Sequence, residues 1–486
     1  MKRQTDSLQG RKAMNLKKYF TPVKLLLLSL MIALTACGSP ANNDGSNAAS
    51  GNKASDNAAA PAASGKKVEL TIATVNNPDM VVMQKLAKDY EQETGVTVKF
   101  SVLPENDLRK QVTLDVSTGG GKYDIVTIGN FDASIWAKNG WIETLAPFFD
   151  AMSADAKAAY DLDDMFPSIR DGVSYENELY ALPFYGESSM LYYNKEMLEK
   201  AGVTMPDNPT WEEVADIAKK LKEANNVPGI ILRGLPGWGE MFAPLNTVIN
   251  AYGGSWYDMN WDAQLNSPET VKAVQFYADL INEAGQPGAT ATGFTEALTL
   301  LSTGKAAMWY DATVAAGFLN NPNSSQVVGK IGYAKAPTAV KENTGWLWSW
   351  NLAIEAASKN KEEAFKFITW ATSKEYIEKV GETEGWVVAP PGTRQSTYEN
   401  PKYKEAAPFA DIVLESMLAA DFKQPAVNPV PYQGIQFVNI PEFQQLGTEV
   451  SQFIAGAITG EITVEEAMNK GQELAQKVAV DGGYKK

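Results

Sequence analysis

Histidine is absent from all 486 residues and cysteine occurs once, as Cys37. The first absence removes His-based triads, zinc sites and imidazole acid/base chemistry, and the second removes any internal disulfide. No cofactor or metal is expected. The longest apolar run, Leu25 to Ala36, holds about 12 residues, short of the roughly 20 that a membrane-crossing helix needs. No repeat of fixed period is present, which argues against a solenoid. Basic charge is scarce as well: 43 Lys and Arg face 58 Asp and Glu, a formal net charge of −15. Such an acid excess argues against nucleic-acid partners and against a polybasic membrane patch.

Basic residues outnumber acids at the start of the chain. Lys17, Lys18 and Lys24 precede the apolar run and small residues close it, the layout of a secretory signal over 1–36. Removing that segment, with its seven Lys or Arg and one acid, would leave −21. Met14 would itself open a tidy signal, so residues 1–13 are expected to be an upstream start. Leu34-Thr35-Ala36-Cys37 resembles a bacterial lipobox, which implies cleavage before Cys37 and a lipid on its sulfur. Residues 37–66 then form the lipidated cysteine and a Gly, Ser, Ala and Asn-rich linker too polar to bury a core. The expected location is the extracytoplasmic face of the cell membrane, lipid-anchored.

About 420 residues remain, more than one core usually serves. Val68 to Val75 reads as a strand, Asp79 to Thr94 as a helix stopped by Gly95, Val96 to Val102 as a strand, Leu108 to Ser117 as a helix and Tyr123 to Ile128 as a strand. That alternation predicts α/β architecture with a parallel sheet covered on both faces. Thr210 and Glu213 form a capping box for a helix to Glu223. Further helices are predicted at Pro268 to Glu283, Phe294 to Thr303, Lys361 to Ser373 and Val464 to Val480, and strands at Ala306 to Tyr310 and Leu347 to Ile354. Gly119-Gly120-Gly121-Lys122 is followed by Tyr123 and precedes a strand, so it reads as a helix stop and not a phosphate loop.

Three stretches carry a resemblance: Leu182-Pro183-Phe184-Tyr185-Gly186-Glu187 through Asn194-Lys195 with Pro209 to Glu213; Gly304 to Met308; and Trp350 to Ile354 before Ser358 to Ala364. Together they resemble the extracellular solute-binding proteins of ABC-type sugar importers. Thr74 to Asn77, Thr127 to Asn130 with Ile135 to Lys138, and Gly434 to Phe437 before Ile440 to Phe443 are most similar to the branch that takes sorbitol or mannitol. The resemblance implies a type II periplasmic-binding-protein-like fold with a ligand cleft between two lobes. Lobes of 67–185 plus 349–404 and of 186–348 plus 405–486 follow, with hinge crossings near Tyr185, Ser349 and Lys404. It implies a non-catalytic monomer that binds a polyol or small sugar and delivers it to membrane permease subunits.

A polyhydroxylated ligand needs carboxylates and amides for its hydroxyls and aromatic faces for its C–H side. Asn77 and Asp79 follow the first strand and Asn130 the third, at the carboxyl ends where parallel sheets bind ligands; turn and cap chemistry is the alternative. Glu187 lies in an apolar segment where an unpaired carboxylate is costly, at the position of the family's ligand carboxylate; a salt bridge is the competing reading. Asp311, at the end of a strand, follows the same logic. Tyr185, at a crossing, and Trp238 and Glu240, in a glycine-flanked turn, join the candidates. Gln433, Gln436 and Phe437 lie in a segment bounded by Pro431 and Pro441 at the expected cleft rim. Trp346, Trp348 and Trp350 would share one face of a strand, with Trp346 expected in the core and Trp348 and Trp350 facing the cleft. Two other functions stay open: a surface glycosidase using Glu187 and Asp311, whose carboxyls would stand about 5 to 9.5 Å apart, and a carbohydrate-sensing module without a transporter.

Overall fold

The computed structural model describes residues 68–485; the expected signal, Cys37 and the linker lie outside the described residues. Ten strands run β1 (Glu69–Val75), β2 (Thr97–Leu103), β3 (Ile125–Gly129), β4 (Ser174–Tyr175), β5 (Glu178–Leu179), β6 (Ala181–Glu187), β7 (Ser189–Asn194), β8 (Met308–Ala312), β9 (Ile331–Lys335) and β10 (Trp348–Ile354). Five of them make one sheet in the order β2-β1-β3-β10-β6, and three make a second in the order β8-β7-β9. The remaining pair, β4 and β5, is a hairpin. No helix among the described residues is long and apolar enough to cross a membrane.

Strands β1, β2 and β3 pair in parallel, as their alternation with helices Pro78–Thr94 and Glu105–Thr118 requires. The parallel pairing expected from that alternation holds for these three strands, and the sheet is extended by β10, which runs antiparallel to both β3 and β6. The physical reason is its origin: β10 enters after the chain has built the second sheet, and returns from the opposite end. That second sheet is antiparallel throughout.

The passage between sheets is short. Strand β6 ends at Glu187 and β7 begins at Ser189, so Ser188 alone joins them. Its N–H donates to Thr313 Oγ1 at 3.0 Å, and its carbonyl accepts from the Thr313 N–H at 2.8 Å. The chain crosses back between β9 and β10, and it passes again between helix Pro401–Ala406 and helix Ala410–Ala419, the latter packed on β7 and β9.

Local signals set the helices. Helix Trp211–Asn225 begins on the reciprocal bonds of Thr210 and Glu213. Helix Pro268–Ala284 begins on Ser267, which accepts from the Thr270 N–H, with Pro268 in the first turn. Gly119 ends helix Glu105–Thr118 in the left-handed conformation, φ 64°. That helix starts earlier than Leu108 because Pro104 stops the strand and two acids, Glu105 and Asp107, favour the helix N-terminus. Trp346 falls outside β10, correcting the idea of a three-tryptophan strand face. It is fully buried and meets Tyr310 of β8 edge-on, at 6.3 Å between ring centroids.

Candidate functional site

Between the two sheets lies a narrow cavity, its empty space about 410 Å³ with open solvent included, lined by Asn77, Tyr185, Glu187, Trp348 and Trp350 from the first sheet and its loops, Glu105 and Arg109 from helix Glu105–Thr118, and Arg233, Trp238, Phe294 and Gln436 from the other side. Strand pairing explains the placement. Trp350 sits opposite Gly129 on one side and Tyr185 on the other, while Trp348 sits opposite Glu187. Gly129 leaves the room: a Cβ there would come within 2.2 Å of the Trp348 ring.

Polar groups fix the aromatic ones. Asn77 Nδ2 donates to the Tyr185 hydroxyl at 2.9 Å. Burial pushes the Tyr185 hydroxyl well above its ordinary value, and the charges of Glu187 and Asp79 push the same way. Burial likewise drives Glu187 upward; Arg233 opposes this, while Asp311, Glu105 and Asp79 add to it. Its carboxyl therefore faces the cavity in a form that favours a proton, able to donate as well as accept.

Behind Glu187 stands a buried charge cluster. Arg233 Nε donates to Asp311 Oδ2 at 2.7 Å and its Nη2 bonds Asp311 Oδ1. Asp311 also accepts from Trp309 Nε1 at 3.0 Å and from the Ala312 N–H at 2.7 Å. Arg233 Nη1 reaches Glu240 Oε2 at 3.3 Å, which accepts from the Phe294 N–H at 3.2 Å. Burial, with Glu105 adding, lifts Glu240 to about 8 against the pull of Arg233.

Of the residues singled out in the sequence, the structure brings Asn77, Tyr185, Glu187, Trp238, Trp348, Trp350 and Gln436 to one cavity. The rest do not line it. Asp311 and Glu240 spend their carboxylates on Arg233. Asp79 is buried beneath, against a second space of about 220 Å³ lined with Val314, Phe318, Tyr403 and Phe409, and burial raises it to about 7. Asn130 opens helix Asn130–Lys138, its Oδ1 buried without a hydrogen bond. Phe437 supports the aromatic wall from behind, 5.9 Å from Trp348 and 5.0 Å from Phe131 between centroids. Gln433 points to solvent, because the turn it opens buries its neighbours instead. Helix Phe242–Ala251 holds that turn through Asn246 Nδ2, which donates to the Gln436 carbonyl at 2.6 Å.

Sequence reasoning missed Glu105, Arg109, Arg233 and Phe294. Two signals were there: Glu105 and Arg109 stand four apart on a helix, the spacing of an ion pair, and Arg233 is a lone charge after the apolar Ile230-Ile231-Leu232. Arg109 Nη2 meets Glu105 Oε1 at 2.8 Å.

The description "bacterial extracellular solute-binding protein" fits residues 75–378 as a family model. The chain belongs to that family. Its members are binding proteins that work outside the cytoplasm. The chain is 43% identical over 420 residues to a mannitol-binding protein of Pseudomonas aeruginosa, covering 86% of this chain and 94% of that one. An erythritol/L-threitol-binding protein of Mycolicibacterium smegmatis is 29% identical over 345 residues, 68% of this chain and 71% of that one. Among solved structures, an ABC transporter solute-binding protein from Agrobacterium vitis with bound D-mannitol matches with a TM-score of 0.82 and 47% identity, over 85% of this chain and 99% of that chain. A maltose-bound protein of Thermotoga maritima matches with a TM-score of 0.71 and 22% identity, over 85% of this chain and 100% of that one, and shares the two-lobed fold.

Proposed function

We propose that this solute-binding protein takes an acyclic polyol, with mannitol first among the candidates, and hands it to the permease subunits of an ABC importer. The observation that carries the reading is the cavity itself. Amide, carboxyl, guanidinium and indole groups line it together, which suits a chain that offers hydroxyls along its length and C–H between them. The mannitol-binding relatives, similar over most of their length, support the same ligand class. The site residues in this reading are Asn77, Tyr185, Glu187, Trp238, Trp348, Trp350 and Gln436, joined by Glu105, Arg109 and Arg233. The lobe bounds 67–185 plus 349–404 and 186–348 plus 405–486 belong to it as well, as does a monomer without catalytic activity.

A glycosidase would need two carboxyls facing one scissile bond. Asp311, the partner that Glu187 would require, is saturated by Arg233, Trp309 and the Ala312 N–H, which favours binding without turnover. The test is thermal denaturation against tetritols, pentitols, hexitols, monosaccharides and oligosaccharides. A ligand at 100 times its Kd should add about 2.7 kcal/mol. Stabilisation by hexitols supports the reading; stabilisation by oligosaccharides alone overturns it.

The lipid anchor at Cys37 completes the proposal. A diacylglyceryl group supplies the two chains that stable anchoring needs. Cys37→Ser should move the protein from the membrane to the soluble fraction or leave it uncleaved, and a variant still membrane-bound and lipid-labelled would contradict the assignment.

A further inference from the structure

Three indoles meet at one corner of the cavity. Trp238 and Trp348 stand 6.1 Å apart at 65° between ring planes, and Trp348 and Trp350 stand 5.9 Å apart at 79°. A pyranose ring would be bound by laying its C–H face on such a surface, as apolar faces pair with aromatic ones. The corner is already filled. The guanidinium carbon of Arg109 lies 4.2 Å from the Trp238 ring centroid, 5.2 Å from that of Trp348 and 4.9 Å from that of Trp350, within cation–π range of all three.

Arg109 is also fastened. Its Nε and Nη2 donate to Glu105 Oε1 at 3.2 and 2.8 Å, and the side chain is 6% exposed. The turn that carries Trp238 is shaped around this pair: a Cβ at Gly239 would come within 2.7 Å of Glu105 Oε1 and 2.8 Å of Arg109 Nε. Arg109 Nη1 is buried and makes no hydrogen bond, with Asp132 Oδ2 3.9 Å away.

We infer that Arg109 sets the ligand class: its guanidinium occupies the indole faces that would stack a sugar ring, so that the site accepts flexible acyclic polyols and rejects pyranoses. An open chain can bend past the guanidinium edge and offer a hydroxyl to the idle Nη1. A ring, whose hydroxyls radiate from a rigid flat body, must displace Arg109 and break its bonds to Glu105. The inference rests on the polyol reading above and adds to it the residue that enforces it.

The test is titration calorimetry of the wild type and of Arg109→Ala with D-mannitol and methyl α-D-glucopyranoside. The wild type should bind mannitol and show little heat with the glucoside. Arg109→Ala should gain glucoside affinity while losing some for mannitol, lowering the ratio of the two Kd values roughly tenfold or more. Equal weakening for both ligands, with the ratio unchanged, would overturn the inference. Arg109→Lys keeps the charge beside Glu105 but removes the flat guanidinium; if the alanine variant does not fold, the same ratio in the lysine variant decides. A wild type that takes both ligands alike overturns the role of Arg109 and leaves the polyol reading standing, whereas one that binds ring sugars and no polyol removes both.

Discussion

Asp79 illustrates how a single buried carboxyl makes stability depend on pH. It follows β1, is buried, and leaves Oδ2 without a hydrogen bond, so burial lifts its pKa from 3.8 to about 7. The folded protein then holds a proton that the unfolded chain has released. Stability from this group is complete below pH 3.8 and is lost as pH rises towards 7. Asp79→Asn should therefore melt higher than the wild type at pH 8, with the advantage shrinking to nothing near pH 4. Melting curves of both proteins across that range check the sign; a variant less stable at pH 8 would show that the carboxylate is needed ionised. Asp311, unlike Asp79, has a charge partner. It is fully buried and is the main partner of Arg233, so Asp311→Ala would strand a buried cation. The expected cost is about 3–5 kcal/mol in denaturant unfolding, and a change under about 1 kcal/mol would mean that Glu240 alone can hold Arg233.

Elements whose boundaries depend on neighbours along the chain are legible in the sequence. Helices Trp211–Asn225, Pro268–Ala284 and Val464–Asp481 start where their caps stand, because a cap is a contact within three residues. Strands β1 to β3 are legible for a similar reason, since each alternates with a helix and ends at turn residues. The direction of β10 is not. It pairs with Gly129 and Tyr185, each more than 160 residues away, and nothing local to Trp348–Ile354 records from which end the chain arrives. The same limit explains the site. Trp348, Trp350 and Glu187 can be named from residue type and family spacing, whereas Arg109 and Trp238 meet only through the closing of loop 236–239 on a distant helix, with Asn106 Nδ2 bonded to the Pro236 carbonyl at 3.1 Å. Asp79, Asp311 and Glu240 look alike in sequence, and only the position of Arg233 separates those that carry a charge partner from the one that does not.

At the scale of the molecule, the cavity is shared by groups held on both sheets, so a ligand that touches both favours the arrangement in which they approach. Gln444, on helix Phe443–Ile458, donates to Asp132 Oδ1 at 3.0 Å, a polar contact next to Arg109. Closure so driven needs differential affinity, and the indoles supply a reporter of it. An acyclic polyol is expected to bind where Trp348 and Trp350 meet Glu187. The most direct measurement is titration calorimetry of D-mannitol into the wild type and into Trp350→Ala, with tryptophan fluorescence followed alongside. The expected result is one saturable site in the wild type, a fluorescence change on binding, and a loss of about 2–4 kcal/mol in the variant, as for a buried aromatic contact at a binding hot spot. Unchanged mannitol affinity in a folded Trp350→Ala, or no heat from any polyol in the wild type, would contradict it.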